Sequence, residues 1–268
     1  MLISIITPTL NCREYLVQCL QSVLSQGHSP IEHILVDGGS TDGTLDILRR
    51  YSQEYPQRIK LITGRDAGPG EAWNKGLAAA TGEIMGWLGS DDTYEPDAIK
   101  SVAGFFEDHP DASFVYGGHN IINENGRVLI ASLPEAFEFD TLLNKKQMIP
   151  TTSAFYKKRV IETVGNVTHI IGNDLDLFLK IAKVFPVDRM EKILSNLRVH
   201  TKSQTTGSNI QRRKIGLKAW CGTSRCHGGR FFSVYCTKYY IFSVFGWALP
   251  IWNFIYYLVL RRFGKKIL

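Results

Sequence analysis

Residues 33–51 read HILVDGGSTDGTLDILRRY, and this stretch decides the fold class. Its opening residues, HILVD, are mostly apolar and predict a short buried strand. The glycines and hydroxyls of GGSTDGT are typical of a turn that leads into the N-terminus of a helix. Leu45, Leu48 and Tyr51 then follow at helical spacing. The stretch therefore predicts one strand–loop–helix unit, the building block of α/β proteins.

The same unit recurs on both sides of this stretch. Asn11 and Glu14 form a candidate capping box for a helix that precedes it, and residues 71–80 predict a further helix after a Gly-Pro-Gly loop. Strands joined through helices run parallel, so we predict an α/β protein with a mostly parallel central sheet and helices on both faces. The predicted strands of this half are LISIIT (2–7), HILVD (33–37), IKLIT (59–63) and EIMGWL (83–88).

The pattern changes after residue 110. A hairpin signal, ENGR (124–127), replaces the regular alternation, and a helix is predicted at 174–182. We expect one domain at 1–205, with halves 1–110 and 111–205, followed by a helical tail at 206–268. The later predicted strands are SFVYG (113–117), TTSAFY (151–156) and ILSNLRVH (193–200).

Polar residues follow each predicted strand of the first half. They are Thr7-Pro8-Thr9, Asp37, Arg65-Asp66 and Asp91-Asp92. Any one of them alone is explained by a turn or a helix cap, but the carboxyl ends of parallel strands meet at one edge, where α/β proteins bind their ligands. The adjacent acids of the turn GSDD (89–92) are also suited to Mg²⁺ or Mn²⁺, which prefer oxygen ligands and leave room for substrate phosphates. The sequence therefore predicts one polar binding rim.

Four segments in order carry a resemblance to a known family: SIITPTLN, VDGGSTDGT, AWNKGLAAATGE followed by WLGSDD, and GNDLDLFLK. Together they resemble the family 2 glycosyltransferases of the GT-A fold, a nucleotide-sugar-binding sandwich found in bacterial cell-surface polysaccharide biosynthesis. The resemblance covers about residues 1–200. It implies inverting transfer of a sugar from a nucleoside-diphosphate sugar, with UDP-sugars favoured, and dependence on Mg²⁺ or Mn²⁺.

Site residues are implied by the same resemblance, position by position. Asp92 matches the metal ligand, Asp91 the ribose contact, and Asp174 the catalytic base that takes a proton from the acceptor. His200 ends the strand-like LRVH, where related enzymes often carry a metal or diphosphate ligand; an ordinary strand-end histidine is the alternative. The donor nucleotide is expected to contact Thr7, Pro8, Thr9, Asn11, Asp37, Arg65, Asp66 and Asp91.

The sequence departs from the family pattern at three positions. Gly38 stands where a second acid is common, Gly89 stands where many members have Asp or Asn, and Asn173 replaces the usual Glu. The Q-x-x-R-W motif of processive polysaccharide synthases is absent from the sequence, so we expect a non-processive enzyme.

The last part of the chain has a different composition. Residues 1–200 hold 19 Lys and Arg against all 25 acids, while residues 201–268 hold 12 basic residues and no acid. Residues 239–260 are uncharged but interrupted by Gly246 and Pro250, which favours a shallow or re-entrant membrane contact over a full span. A buried terminal helix is the alternative. We expect residues 231–268 to bind a membrane surface, not nucleic acid.

This placement predicts a protein on the cytoplasmic side, peripheral or monotopic at the inner face of the plasma membrane. The expected acceptor is then a glycan or a polyprenyl-diphosphate-linked intermediate. The five cysteines form no even framework, and free thiols are expected rather than a zinc site at Cys221, Cys226, His227 and Cys236. Two other functions remain open: a nucleotidyltransferase, and a catalytically degenerate membrane-bound nucleotide-sugar-binding protein.

Overall fold

A computed structural model describes residues 1–144, 149–166, 173–201, 203, 218 and 221–230. Strands and helices alternate as far as residue 87, and antiparallel pairings occur among the later strands. The strands are β1 (Ile3–Thr9), β2 (Ile31–Asp37), β3 (Ile59–Thr63), β4 (Ile84–Trp87), β5 (Thr93–Tyr94), β6 (Phe114–Ile122), β7 (Val128–Ser132), β8 (Ala154–Lys157) and β9 (Asp188–Arg198). The helices are α1 (Arg13–Leu24), α2 (Thr44–Glu54), α3 (Pro69–Ala79), α4 (Ala98–Asp108), α5 (Phe139–Asn144), α6 (Lys158–Val164) and α7 (Asn173–Val184).

The nine strands form one mixed sheet. Eight of them follow the order β3-β2-β1-β4-β8-β6-β9-β5, and β7 pairs with the C-terminal part of β6. Strands β3, β2, β1 and β4 are mutually parallel, as are β6 and β9. Strand β8 runs antiparallel between β4 and β6, and β5 runs antiparallel to β9. The α/β prediction is confirmed, with the parallel order concentrated in the first four strands. Because β5 pairs with β9, one sheet joins the two predicted halves.

Helices cover both faces of the sheet, as predicted. Along β1, Ile5 packs in a cluster with Val102 of α4, whereas the next residue, Ile6, packs with Trp73 of α3. This alternation is the period of two expected of a strand buried on both sides. Burying each such side chain stabilises the fold by about 1.5–3 kcal/mol. Helices α3, α5, α6 and α7 share one face, and α1, α2 and α4 share the other.

The predicted capping box at Asn11 and Glu14 is wrong. Helix α1 begins at Arg13, and its N-cap residue, Cys12, makes no side-chain capping bond. Asn11 instead adopts a positive φ of 51°, and its Oδ1 accepts a hydrogen bond of 2.9 Å from the Thr41 amide. The short polar side chain of asparagine tolerates this conformation and bonds backbone locally. Asn11 therefore joins the loop after β1 to the loop after β2.

The observed bounds of two later elements also differ from the predicted ones. Residues Thr151–Ser153 form a 3₁₀ turn rather than the start of a strand, and β9 begins at Asp188 and ends at Arg198, so His200 lies beyond it. The hairpin between β6 and β7 is confirmed, with Gly126 at a positive φ of 81° in its turn.

Two predictions concern the cysteines and the tail. Cys221 is disulfide-bonded, so the expectation of five free thiols is wrong at that position, while Cys12, Cys19 and Cys226 are free. Residues 231–268, for which membrane contact is predicted, lie outside the described residues, as does Cys236 of the zinc alternative. Among the helices that the structure describes, none combines the length and apolar character needed to cross a bilayer.

Candidate active site

The acidic turn at Gly89–Asp92 follows β4 directly, and the amide of Asp92 donates to the Gly89 carbonyl. Asp92 is 4% exposed, and its Oδ1 accepts a hydrogen bond of 2.8 Å from the Arg198 amide. Burial raises the pKa of Asp92 well above its ordinary value and the Asp91 charge adds to the rise, while Arg198 opposes it. A Cβ at position 89 would lie 2.4 Å from Asp92 Oδ2. Glycine at this position therefore leaves room for the buried carboxylate.

Asp91 and His200 meet beside this turn. The His200 Nε2 atom lies 2.9 Å from Asp91 Oδ2, and the two side chains are 9% and 29% exposed, respectively. The ring of Tyr15 lies 4.8 Å from the His200 ring, measured between centroids. The structure thus brings His200 to the acidic turn although 109 residues separate it from Asp91 in sequence. A carboxylate oxygen and an imidazole nitrogen that face each other are able to share one cation.

Three of the predicted nucleotide contacts assemble around Gly38. The Gly38 amide donates to the Thr9 carbonyl, and a Cβ on this glycine would lie 2.6 Å from Asp66 Oδ2. Asp37 is 1% exposed, and its Oδ2 accepts hydrogen bonds of 3.0 Å from both the Gly39 and Ser40 amides. Its Oδ1 has no hydrogen-bond partner within the described part of the chain. Asp66 therefore occupies the space beside Asp37 that a residue larger than glycine would fill.

The other predicted nucleotide contacts are more dispersed. Thr7 is fully buried, and its hydroxyl lies 2.9 Å from His33 Nε2 rather than at the rim. Pro8 is half-buried within β1, while Arg65 is exposed and has its carbonyl bonded by Lys75. Asn11 is exposed at the loop described above. These residues surround the cluster at Gly38 without joining it.

Asp174 lies in the first turn of α7 and is half-buried. Its Oδ2 accepts a hydrogen bond of 2.9 Å from the Thr151 hydroxyl. The following residues of the 3₁₀ turn, Thr152 and Ser153, both bond the Ser195 hydroxyl of β9, at 2.8 and 2.7 Å. The same turn packs against β4, the strand that leads into the acidic turn. Asp174 is therefore tied to the two strands that hold Asp91 and Asp92.

Arg198 is not among the predicted site residues, although it is the largest fully buried side chain described. Its guanidinium bonds the Asp91 carbonyl and the Gln18 side chain, and its CZ atom lies 4.8 Å from the centre of the Tyr15 ring. The one local signal is an arginine between apolar residues in the run LRVH, because a charged residue in a buried strand requires a partner.

No group of three or more His, Cys, Asp or Glu side chains suited to a metal occurs within the described ranges. A cation at Asp91 and His200 would therefore complete its shell with water and substrate oxygens, which is the usual arrangement for Mg²⁺ in phosphate-binding sites.

Comparison with known proteins places the chain in a family. The family described as Glycosyl transferase family 2 matches residues 4–165. A PGL/p-HBAD biosynthesis glycosyltransferase of Mycobacterium bovis is 37% identical over 180 residues, which cover 66% of this chain and 68% of the relative. Chondroitin synthase of Escherichia coli is 28% identical over 222 residues, covering 81% of this chain but 31% of the synthase.

Solved structures resemble the fold at lower identity. Mannosyltransferase PcManGT from Pyrobaculum calidifontis, in complex with GDP-Man and Mn²⁺, has a TM-score of 0.65 and 20% identity, covering 92% of this chain and 72% of its own. S. aureus TarS 1–349 in complex with UDP-GlcNAc also has a TM-score of 0.65, with 17% identity, covering 93% of this chain and 76% of its own.

Proposed function

Because the chain belongs to glycosyl transferase family 2 and has the GT-A fold, we propose that it is an inverting, metal-dependent glycosyltransferase. It takes one sugar per encounter from a nucleoside-diphosphate sugar and transfers it to an acceptor hydroxyl. The observation that carries the proposal is the pairing of Asp91 with His200 at the carboxyl end of β4. The family likeness favours glycosyl transfer over the nucleotidyl transfer that the sequence left open.

The residues of the acidic turn fit a divalent cation, Mg²⁺ or Mn²⁺. Asp91 is partly exposed and faces His200, whereas Asp92 is enclosed and has one oxygen bonded to the Arg198 amide. This difference in access supports Asp91 and His200 as the protein's ligands, with Asp92 as a buried support. Asp92 as the ligand, which the family resemblance implies, is the alternative. A bound cation would stabilise the negative charge that develops on the leaving diphosphate.

The donor base is proposed to bind at the cluster around Gly38. The Oδ1 atom of Asp37 has no partner among the described residues, and an acceptor of this kind suits the ring N–H of a uracil. Asp66 and Thr9 lie against Gly38, the next residue, and would form the walls. TarS binds UDP-GlcNAc and PcManGT binds GDP-Man, so UDP- and GDP-sugars are the donors to compare, with UDP-sugars expected to bind better.

Asp174 is proposed as the general base. Inversion needs a single displacement, in which a carboxylate removes the acceptor proton as the hydroxyl attacks the anomeric carbon. The Thr151 hydroxyl holds one oxygen of Asp174, which restricts the rotation of the carboxylate. No covalent intermediate on the enzyme is required.

The acceptor is proposed to be a glycan or a polyprenyl-diphosphate-linked intermediate presented at the cytoplasmic face of the membrane. Residues 221–230 support this placement because they lie against the acceptor-side helices. His227 Nε2 lies 2.8 Å from Asp176 of α7, and the Arg230 amide donates to Asn144 of α5. The basic tail, proposed to bind membrane through residues 231–268, therefore continues from a segment close to Asp174.

The first experiment is a screen of UDP- and GDP-sugars with Mn²⁺ by thermal shift, followed by measurement of diphosphate release. Asp174→Asn should keep donor affinity and lower turnover by roughly 100-fold or more, because only proton removal is lost. Asp176→Asn is the matched control in the same helical turn and should lower turnover far less. If the control loses turnover and Asp174→Asn does not, Asp176 is the base. A native chain that binds a donor but never turns it over would indicate the degenerate binding protein.

A second pair of variants tests the cation ligands. Asp91→Asn should weaken Mn²⁺-dependent donor binding, measured by calorimetry with and without the metal. Asp92→Asn should leave Mn²⁺-dependent donor binding close to native, because the Asn Oδ1 can still accept the Arg198 amide bond and burial already disfavours the ionised carboxylate. The reverse result would assign the ligand to Asp92. Equal donor binding with and without Mn²⁺ in the native protein would exclude a metal-dependent mechanism.

A further inference from the structure

Arg198 is an unusual residue to find enclosed, because its side chain is 1% exposed at the end of β9. A buried guanidinium is costly unless its N–H groups are bonded. Here the acceptors are three main-chain carbonyls and one side-chain amide: Asp91 O at 2.9 Å, Asn123 O at 3.2 Å, Glu124 O at 3.0 Å and Gln18 Oε1 at 2.7 Å. These neutral acceptors satisfy four of the five N–H donors without neutralising the charge.

The charge of Arg198 is instead placed beside the acidic turn. Its Nε bonds the Asp91 carbonyl, its own amide bonds the Asp92 carboxylate, and its positive charge acts on Asp92. Arg198 therefore bonds both acids of the turn. It bonds the main-chain carbonyl of Asp91 and the side-chain carboxylate of Asp92.

The same side chain also reaches His200 through an aromatic ring. The guanidinium lies over Tyr15, 4.8 Å from the ring centre, and the His200 ring also lies 4.8 Å from that ring, measured between centroids. A cation over an aromatic face is attracted by the ring electrons, so the Tyr15 ring contacts both the arginine and the histidine. Arg198 thus contacts the backbone of one proposed cation ligand and, through Tyr15, restricts the ring of the other.

We infer that Arg198 is a positioning residue that aligns Asp91 Oδ2 and His200 Nε2 toward a single divalent cation. This inference rests on the proposed function. Arg198 also bonds the carbonyls of Asn123 and Glu124, which fixes the turn of the β6–β7 hairpin against the site. The same residue therefore contacts both the acidic turn and the second half of the sheet. Lysine cannot replace it, since an ammonium lacks the planar fork that serves several carbonyls at once.

The test compares Arg198→Lys with Arg58→Lys. Arg58 is a matched control because its guanidinium also bonds a main-chain carbonyl, that of Leu24, at 3.0 Å, without touching the proposed site. Mn²⁺ binding is titrated by electron paramagnetic resonance on the full chain with saturating UDP, and in parallel with GDP, and each variant's unfolding is followed in denaturant. Loss of an outer partner of a metal ligand typically weakens the metal by about 10- to 100-fold. Arg198→Lys should therefore raise the Mn²⁺ dissociation constant at least about tenfold, and Arg58→Lys should leave it unchanged.

Tyr15→Leu is the second variant, in case Arg198→Lys does not fold. It removes the ring that contacts both the guanidinium and His200 and should also weaken Mn²⁺ binding, while nucleotide binding measured without metal stays close to native. If the Arg198 or Tyr15 variants lose stability but bind Mn²⁺ as tightly as the native chain, Arg198 is only structural and the inference is wrong. If the native chain binds no Mn²⁺ with either nucleotide, the metal-dependent function itself fails, and the inference fails with it.

Discussion

His33 provides a direct test of how tightly the donor side of the sheet is packed. It lies in β2, 1% exposed, with its Nε2 2.9 Å from the Thr7 hydroxyl. Burial, together with a smaller effect of the nearby charge of Arg58, lowers the pKa of His33 from 6.5 to about 3. The folded protein therefore keeps this histidine neutral at pH values where the unfolded chain protonates it. As far as His33 is concerned, the free energy of unfolding is highest above pH 6.5, and it falls as the pH drops toward 3.

The size of this effect follows from proton linkage. Between about pH 7.5 and about pH 5, the unfolded chain gains most of a proton that the folded chain does not take up, which costs about 2 kcal/mol of unfolding free energy. Replacement by glutamine, His33→Gln, removes the titration while retaining a polar group for Thr7. Urea unfolding of both proteins at the two pH values gives the difference, and the contribution of other groups, such as the buried His119, cancels. The reasoning is refuted if the native protein and the variant lose the same stability over this range.

Two further predictions concern the acidic turn and the tail. Gly89→Ala should lower turnover about tenfold or more, because the new Cβ would lie 2.4 Å from Asp92 Oδ2. The control is Gly104→Ala, whose new Cβ would meet nothing within 4 Å. It should keep turnover and raise the free energy of unfolding, measured in denaturant, by about 0.5–1 kcal/mol. Equal turnover in both would mean that the turn adapts. Chains ending after Gly207 or after Arg230, the longer one kept reduced so that Cys221 is in one state, should stop sedimenting with anionic vesicles. Only the longer one should retain near-native diphosphate release, since it keeps the contact with α7, and vesicle binding by either would place the membrane contact elsewhere.

The first four strands and their helices were predictable because each follows a local rule. Apolar runs end in Gly, Pro or Asp, and helical spacing begins shortly afterwards, so neighbouring residues alone determine the elements. The polar rim follows from the same rule, since parallel strands bring Asp37, Asp66 and Asp91 to one edge. The insertion of β8 between β4 and β6 has no comparable local signal, because strand order depends on packing between distant segments.

The details of the site depended on such distant contacts. Asn11 had the spacing of a helix cap, yet the amide of Thr41 on the next loop competes for its side chain. Gly38 and Gly89 read as departures from the family, and the structure explains both by the carboxylates of Asp66 and Asp92 that lie against them. Arg198 was overlooked because an arginine at the end of a strand is usually exposed.

The position of β9 has a consequence for how the protein is made. Asp92 belongs to the early part of the chain, but the amide that holds it comes from Arg198, 106 residues later, on a strand placed between β6 and β5. During synthesis the first four strands can pair before β9 exists, while the bonds from Arg198 to the acidic turn cannot form until about residue 200 has left the ribosome. Contacts of such long separation form late, because a large loop must close first. An unfinished chain should therefore have the strands of the donor side but no competent site, and the ability to capture a nucleotide sugar should appear only as the sheet is completed.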